Sequence, residues 1–382
     1  MSDLQILWSG PLYGESGYAE ETRCLIQNFD DAKIPIAARN IGFELPSAAV
    51  LSNVLTRVQQ IESRGIRSNF VHVTHLYKPF FTVHEDAIAR VWRTMFETDV
   101  LPPNWVDKAN SLDQIWVPSQ FNIETFTKAG VVPTRLRILP QTVDVKRWTP
   151  EGVQYVHGDP NLFTFLSIFR WQQRKGWDIL IRAFVEEFTD KDAVQLVLKA
   201  APFHVPESST EMQSPDIKSE LSAVADKALQ TRPGGIPMII HHSDWVEAVE
   251  MPAFLRGADC YVLPSRGEGW GRPYIEAMSC GLPVIATNWS GNLDFMDENT
   301  ALLIDYSLQP VRSTATDEWP LFTADMVWAE ADIEHLRSLM RAVFVDRDLG
   351  TQIGQAARSR VVEDFSGPGA AAVAINLISE VT

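Results

Sequence analysis

Cys260-Tyr261-Val262-Leu263-Pro264-Ser265-Arg266-Gly267-Glu268-Gly269-Trp270-Gly271-Arg272-Pro273-Tyr274-Ile275-Glu276-Ala277-Met278-Ser279-Cys280-Gly281-Leu282-Pro283-Val284-Ile285-Ala286-Thr287 holds a strand, a glycine-rich loop, a helix and a second strand. Cys260–Pro264 is a short apolar run, Pro273 is placed to open a helix and Gly281 to close it, and the strand pattern resumes at Pro283–Thr287. That order predicts parallel strands joined by a crossover helix. Working outward, Leu162–Phe169, Val194–Lys199, Pro237–His242 and Ala301–Asp305 read as further strands of the same half. Nearer the N-terminus, Leu4–Trp8, Ile34–Ala38, Phe70–Thr74, Arg90–Phe96, Gln114–Pro118 and Thr134–Leu139 repeat the pattern, with helices such as Ala19–Phe29, Leu51–Arg64 and Asn122–Ala129 between them. The expected fold class is α/β, with two doubly wound, Rossmann-like parallel-sheet domains facing across a crevice. Pro150 and Gly152 mark the join, giving domains 1–150 and 151–365. Ala370–Val381, after Phe365-Ser366-Gly367-Pro368, reads as a terminal helix. Ser307–Trp328, with Pro310 and Pro320, reads as a loop before the helix Asp332–Val345.

With 382 residues, 45% hydrophobic and 21% charged, the chain can build large cores and lacks the signature of disorder. Asp3 stands where a signal peptide needs basic residues, and no run approaches the roughly 18 apolar residues of a membrane helix. A cytoplasmic location is expected. Cys24, Cys260 and Cys280 form no Cys-x-x-Cys pair and read as reduced, mostly buried residues. Residues 1–150 hold 15 Lys+Arg against 16 Asp+Glu, so nearly all of the net charge of -16 lies in residues 151–382. That balance argues against a nucleic-acid partner and against broad adhesion to anionic lipid. Arg57, Arg64 and Arg67 leave a local basic patch or a solvated helix face as readings of the first half.

In doubly wound sheets ligands bind beyond the carboxyl ends of the strands. Three loops there carry chemistry. The first, around Gly10, Gly14, Ser16 and Gly17, offers backbone amides at a helix N-terminus, although a plain tight turn would look the same. Its glycine spacing is not that of a dinucleotide loop. The second, Arg170-Trp171-Gln172-Gln173-Arg174-Lys175-Gly176, places cations between a strand and a helix in an acidic domain. It suits a diphosphate, with solvated loop cations as the alternative. The third is the quoted loop, where Glu268 follows the strand and Glu276 lies about one turn into the helix. One acid can face a sugar while the other reaches ribose hydroxyls.

Glu268 and Glu276 within Gly-Glu-Gly-Trp-Gly-Arg-Pro-Tyr-Ile-Glu-Ala-Met, with Arg170 and Lys175 upstream and Val117-Pro118-Ser119 before the join, are similar to the signature of retaining glycosyltransferases of the GT-B fold, the family four group (glycosyl transferases group 1). The similarity runs from about Leu7 to Phe365. It implies that the second domain holds a nucleoside-diphosphate sugar as co-substrate and the first a hydroxyl-bearing glycan or glycoconjugate acceptor, as in polysaccharide biosynthesis. Arg170 and Lys175 would bind the diphosphate and stabilise it as it leaves. Glu276 would accept from ribose, Glu268 would touch the sugar, and the amides of Gly269, Trp270 and Gly271 would line sugar and phosphate. Trp245 would lie near the base, and residues 366–382 would pack back on the first domain.

The chain departs from the family after the strand Arg90–Phe96, where many relatives carry a histidine and Glu97 stands instead. Glu97 could orient a sugar hydroxyl or take the acceptor proton, or it could cap the helix near Pro102. His75 is a second acceptor-side candidate, with a satisfied structural histidine as its alternative. No cofactor and no metal are expected. His241 and His242 are adjacent on a strand and point apart, and Asp190-Lys191-Asp192 and Asp346-Arg347-Asp348 follow helices as solvated ends. Two other readings stay open: a sugar-nucleotide epimerase or hydrolase, and a non-catalytic sugar-nucleotide-binding subunit of a partner.

Overall fold

The computed structural model describes residues 4–14, 16–41, 50–202, 216–244, 246–312 and 321–381. The chain divides into two compact units, one of Met1–Lys146, Glu247–Val249 and Val362–Thr382, the other of Arg147–Val246 and Glu250–Val361.

In the first unit β1 (Gln5–Gly10), β2 (Ile36–Asn40), β3 (Phe70–His75), β4 (Ala89–Arg93), β5 (Gln114–Val117) and β6 (Leu136–Ile138) form a parallel sheet in the order β2-β1-β3-β4-β5-β6. From β1 the chain steps to β2 on one side and β3 on the other. The loops after β1 and β3 therefore sit at the switch point where such sheets take ligands. Helices α1 (Gly17–Asp31), α2 (Ser52–Glu62), α3 (Val106–Asn110) and α4 (Gln120–Ala129) fill the connections. Their ends have local causes. Ser16 accepts the Ala19 N–H at 3.2 Å, Ser119 accepts that of Asn122 at 3.3 Å, and Gly130 turns left-handed to stop α4. Leu25, Ile26 and Phe29 of α1 pack on Ile6, Trp8, Val71 and Val73 of the sheet.

In the second unit β7 (Phe163–Trp171), β8 (Val194–Pro202), β9 (Met238–His241), β10 (Cys260–Leu263), β11 (Val284–Thr287) and β12 (Leu302–Ile304) are parallel in the order β12-β11-β10-β7-β8-β9. Here the order reverses between β7 and β10, so the loops following those two strands share the switch point. Helices α5 (Trp177–Glu187), α6 (Ile217–Leu229), α7 (Met251–Arg256) and α8 (Arg272–Ser279) complete the unit. Pro273 lies in the first turn of α8, and Gly281 turns left-handed just past its end, as the quoted stretch predicts.

The structure corrects two expectations. β7 runs on to Trp171, paired with Pro202 of β8, so Arg170 is a strand residue and not part of the loop. The stretch from Ser307 to Trp328 is no simple loop, because β13 (Tyr306–Pro310) pairs antiparallel with β14 (Val327–Ala331). Pro310 sits at the last rung, where a missing N–H costs least. Residues 313–320, Pro320 among them, lie outside the described residues. Then follow α9 (Ile333–Val345), α10 (Arg347–Asp364) and α11 (Gly367–Ser379). α11 delivers Ala370, Ala374, Leu377 and Ile378 to the core of the first unit, where Val143 N–H also bonds Phe365 O at 3.1 Å.

Candidate active site

At the switch point of the second unit, β7 gives way to a single turn at Gln173–Lys175, Gly176 and then α5. Gly176 is left-handed with φ 65°, and a Cβ there would fall 2.0 Å from Pro264 O. Only glycine fits so close to the end of β10, and that approach carries Lys175 to Glu268, 93 residues away. Lys175 Nζ donates to Glu268 Oε1 at 2.5 Å, Ser265 Oγ to the same oxygen at 2.8 Å, and Arg174 Nη1 lies 3.1 Å from Oε2. Glu268 is buried. Burial would raise its pKa, but Lys175 and Arg174 overcome this and hold it at about 2. Glu268 is thus a fixed carboxylate at neutral pH, able to accept hydroxyl hydrogen bonds and unable to act as a general acid.

The backbone of the loop is fixed as firmly. Ser290 Oγ accepts the Glu268 N–H at 2.9 Å, and Gly291 N–H donates to Glu268 O at 2.9 Å. A Cβ on Gly291 would meet Gly269 O at 2.2 Å. Ser290 itself holds φ 80°, a conformation a serine adopts only when its surroundings impose it. Gly269, Trp270 and Gly271 are buried, and the Trp270 ring packs 4.8 Å from that of Phe295. Glu276, on α8, pairs with Arg272 at 3.1 Å and is partly exposed.

Among the described residues, Arg174 and Lys175, and not Arg170, hold this cluster's carboxylate. Arg170 is exposed at the carboxyl end of β7, and its charge joins burial in lowering the pKa of Lys199 on β8. Lys199 donates to Asp244 O at 2.7 Å. Trp245, expected near the base, lies outside the described residues. Sequence reading missed Arg174, Ser265, Ser290 and Lys199 as partners. Arg174 alone carried a signal, its place in the cationic loop. His241 Nε2 lies 3.0 Å from Ala200 O, while His242 packs against Tyr155 and Phe254.

In the first unit the glycine loop is occupied from within. Arg23 donates to Leu12 O at 3.0 Å and to Gly14 O at 2.7 Å, Ser16 caps α1, and Gly17 is its first residue. Under the loop lies a buried charged group. Arg93 Nε donates to Glu21 Oε1 at 2.7 Å, His75 Nδ1 lies 2.8 Å from Thr22 Oγ1, and His75 Nε2 is 3.5 Å from Glu21 Oε2. Arg93, Glu21 and His75 have no exposed side-chain surface. Burial pushes the His75 pKa down, so it stays neutral at pH 7. Against its own burial, Glu21 is held at about 2 by Arg93 and His75. His75 is therefore enclosed, while Glu97 remains partly accessible beyond β4. Asn122 Nδ2 holds Phe96 O at 2.7 Å and Thr125 Oγ1 holds Thr98 O at 3.0 Å, fixing the Glu97 backbone from both sides. The Glu97 charge raises the Tyr18 pKa, after burial.

Glu21 and Glu268 bind fewer protons folded than unfolded. Stability is therefore complete above pH 4.5 and is lost as pH falls through about 2. Urea midpoints should fall between pH 5 and pH 3, and the fall should shrink in Glu268→Gln.

The two parallel six-stranded sheets are those of the GT-B fold. Residues 160–310, the segment holding Lys175, Glu268 and Glu276, match the family described as glycosyl transferases group 1. The chain is 30% identical over 194 residues to a D-inositol 3-phosphate glycosyltransferase of Paenarthrobacter aurescens, covering 48% of this chain and 42% of that protein. It is 28% identical over 212 residues to a GDP-mannose-dependent alpha-(1-6)-phosphatidylinositol monomannoside mannosyltransferase of Mycolicibacterium smegmatis, covering 51% and 50%. These matches span about half the length of the curated relatives or less. Anabaena Alr3699/HepE, solved in complex with UDP-glucose, superposes with a TM-score of 0.63 at 13% identity over 98% of this chain and 99% of that one. Among the described residues no helix is long and apolar enough to cross a membrane.

Proposed function

We propose that the chain is a glycosyltransferase that moves a hexose from a nucleoside-diphosphate sugar to a hydroxyl of a glycan or glycoconjugate, with retention and without a metal. The observation that carries the reading is the cluster of Arg174, Lys175 and Glu268, two cations on one buried carboxylate, at the switch point of the second sheet. It carries one net positive charge before any ligand arrives. A diphosphate suits that charge, and the need grows as negative charge accumulates on the leaving group. Lys175 then shifts part of its bonding from Glu268 to phosphate oxygen, leaving Glu268 to accept from sugar hydroxyls. Arg170, exposed nearby on β7, adds a bidentate contact. With the charge met by side chains, chelation with EDTA leaves turnover unchanged.

The second unit is the donor side and the first unit the acceptor side in this reading. Named activities of the relatives, on inositol phosphate and on a mannosylated phosphatidylinositol, support a polyol or sugar hydroxyl as acceptor. Glu97 takes the acceptor proton or orients the hydroxyl. In Glu97→Gln, nucleotide affinity is retained and turnover falls at least about tenfold, as for loss of a positioned base. A variant that only melts earlier returns Glu97 to a structural role. Glu276→Ala weakens nucleotide binding about tenfold with little change in melting, the loss of one charge-assisted contact to ribose, read by calorimetry.

The reading is tested by thermal shift against UDP, GDP, ADP and their sugars, followed by nucleotide release from each sugar that binds. A ligand at 100 times its dissociation constant adds about 2.7 kcal/mol of stability. A selective shift with slow release supports a transferase awaiting its acceptor. Rapid release without acceptor points to a hydrolase, and no shift with any nucleotide overturns the donor site.

A further inference from the structure

Arg266, two residues before Glu268, is fully buried and makes more ordered contacts than any mechanism above requires. Its backbone N–H donates to Arg174 O at 2.7 Å, and its carbonyl accepts the Ala329 N–H of β14 at 2.9 Å. Its guanidinium forks onto Asp178, in the first turn of α5, with Nη1–Oδ1 and Nη2–Oδ2 both 2.8 Å. The other edge meets Glu330 of β14, with Nε–Oε2 2.7 Å and Nη2–Oε1 3.1 Å. Nη1 also donates to Gln173 O, and the plane lies 5.4 Å from the Trp328 ring. Arg312, just past β13, bridges the same two acids, reaching Asp178 Oδ2 at 3.1 Å and also pairing with Glu330. One residue thus joins the cationic turn, through its guanidinium to Gln173 O and its N–H to Arg174 O, to the start of α5 and the hairpin β13–β14.

We propose that Arg266, held by Glu330 of the hairpin, is a positioning residue that fixes Arg174 and Lys175 for the donor diphosphate; this deepens the reading above and rests on it. The geometry favours positioning over simple stability. The three-residue turn ends in its lysine, and its carbonyls at 173 and 174 are both tied to Arg266. Releasing the guanidinium from Glu330 leaves Asp178 as its one acidic partner, so the turn gains freedom while the sheet keeps its ladder. A cation displaced by a fraction of an ångström loses more transition-state stabilisation than ground-state binding.

The test uses the full chain with Glu330→Gln, whose site is partly exposed, and with Glu330→Asp as the conservative variant; Arg266→Lys is the direct probe but risks the fold. By hydrogen exchange, amides of residues 173–176 should exchange at least about tenfold faster in Glu330→Gln while those of β7 and β8 do not change. In nucleotide release, kcat should fall about tenfold with KM within about threefold, and Glu330→Asp should recover part of the loss. On a Lys175→Ala background Glu330→Gln should cost clearly less than in the wild type, because part of its effect passes through Lys175. Unchanged exchange at 173–176, or an undiminished loss on the Lys175→Ala background, overturns the proposal. If the wild-type chain binds no nucleotide sugar, the donor reading falls, and the exchange comparison still decides whether the hairpin positions the turn.

Discussion

Lys175→Ala should reduce donor turnover at least about a hundredfold, near 3 kcal/mol of transition-state stabilisation. The ammonium is buried, so its charge is poorly screened, and it sits 2.5 Å from Glu268 with Arg174 beside it. Removing it has two effects of the same sign. The leaving diphosphate loses a donor, and the local charge changes from one net positive to neutral. The Glu268 pKa rises toward its ordinary value because Lys175 is the largest influence lowering it. Nucleotide affinity falls less than turnover, since base and ribose contacts remain. Single-turnover release of nucleotide, compared with calorimetric affinity, separates the two quantities. Equal losses in both would make Lys175 a ground-state binder, and unchanged turnover would remove it from the diphosphate site. Lys175→Arg does not rescue fully, because the larger planar fork does not match a buried point donor set on Glu268.

That cluster shows where sequence stops being legible. The strand, loop and helix from Cys260 to Ser279 could be read directly because Pro273 and Gly281 punctuate them and the apolar runs have strand length. Lys175 and Glu268 could each be named as candidates from their loops. Their ion pair could not, since it depends on Gly176 passing against Pro264 O, a long-range approach that leaves no local periodicity. The length of β7 was also hidden. Its last two residues are strand only because Ala201 and Pro202 of β8 pair with them, and this moved Arg170 out of the expected loop. The hairpin was missed for a related reason: Pro310 and Pro320 read as breakers, while the pairing partner of Tyr306 lies at Ala331. Glu21 was concealed most deeply. It occupies a helix whose apolar face was plain in sequence, and an ionised carboxylate without exposure is rare enough that only its partners at 75 and 93 account for it.

Those partners carry the largest expected stability effect. Arg93→Leu should destabilise the first unit by about 3 to 5 kcal/mol, because it strands the Glu21 carboxylate in a site with no exposed surface. His75 is neutral there and 3.5 Å from Glu21, so it replaces little of the lost charge. The carboxylate responds by taking a proton, and its pKa climbs from about 2 past the ordinary 4.5. The pH dependence of stability should then reverse for this group: the variant gains on acidification through the new pKa, where the wild type loses. For a unit of this size the melting point should drop on the order of 10 °C at pH 7. The double variant Glu21→Gln, Arg93→Leu distinguishes the lost pair from the stranded charge. An ion pair withdrawn from water returns little net energy over its desolvation cost, so removing both charges should recover most of the single variant's loss. If the double variant is as unstable as Arg93→Leu alone, the damage lies in packing or in the Nε donation to Glu21, and not in an uncompensated charge. Because His75 sits on β3 and Arg93 at the end of β4, opposite each other in register, this buried group is also what fixes the ends of the two strands beside the loop that leads to Glu97. A loss of turnover in the double variant at restored stability would therefore place that fixing role in the reaction as well as in the fold.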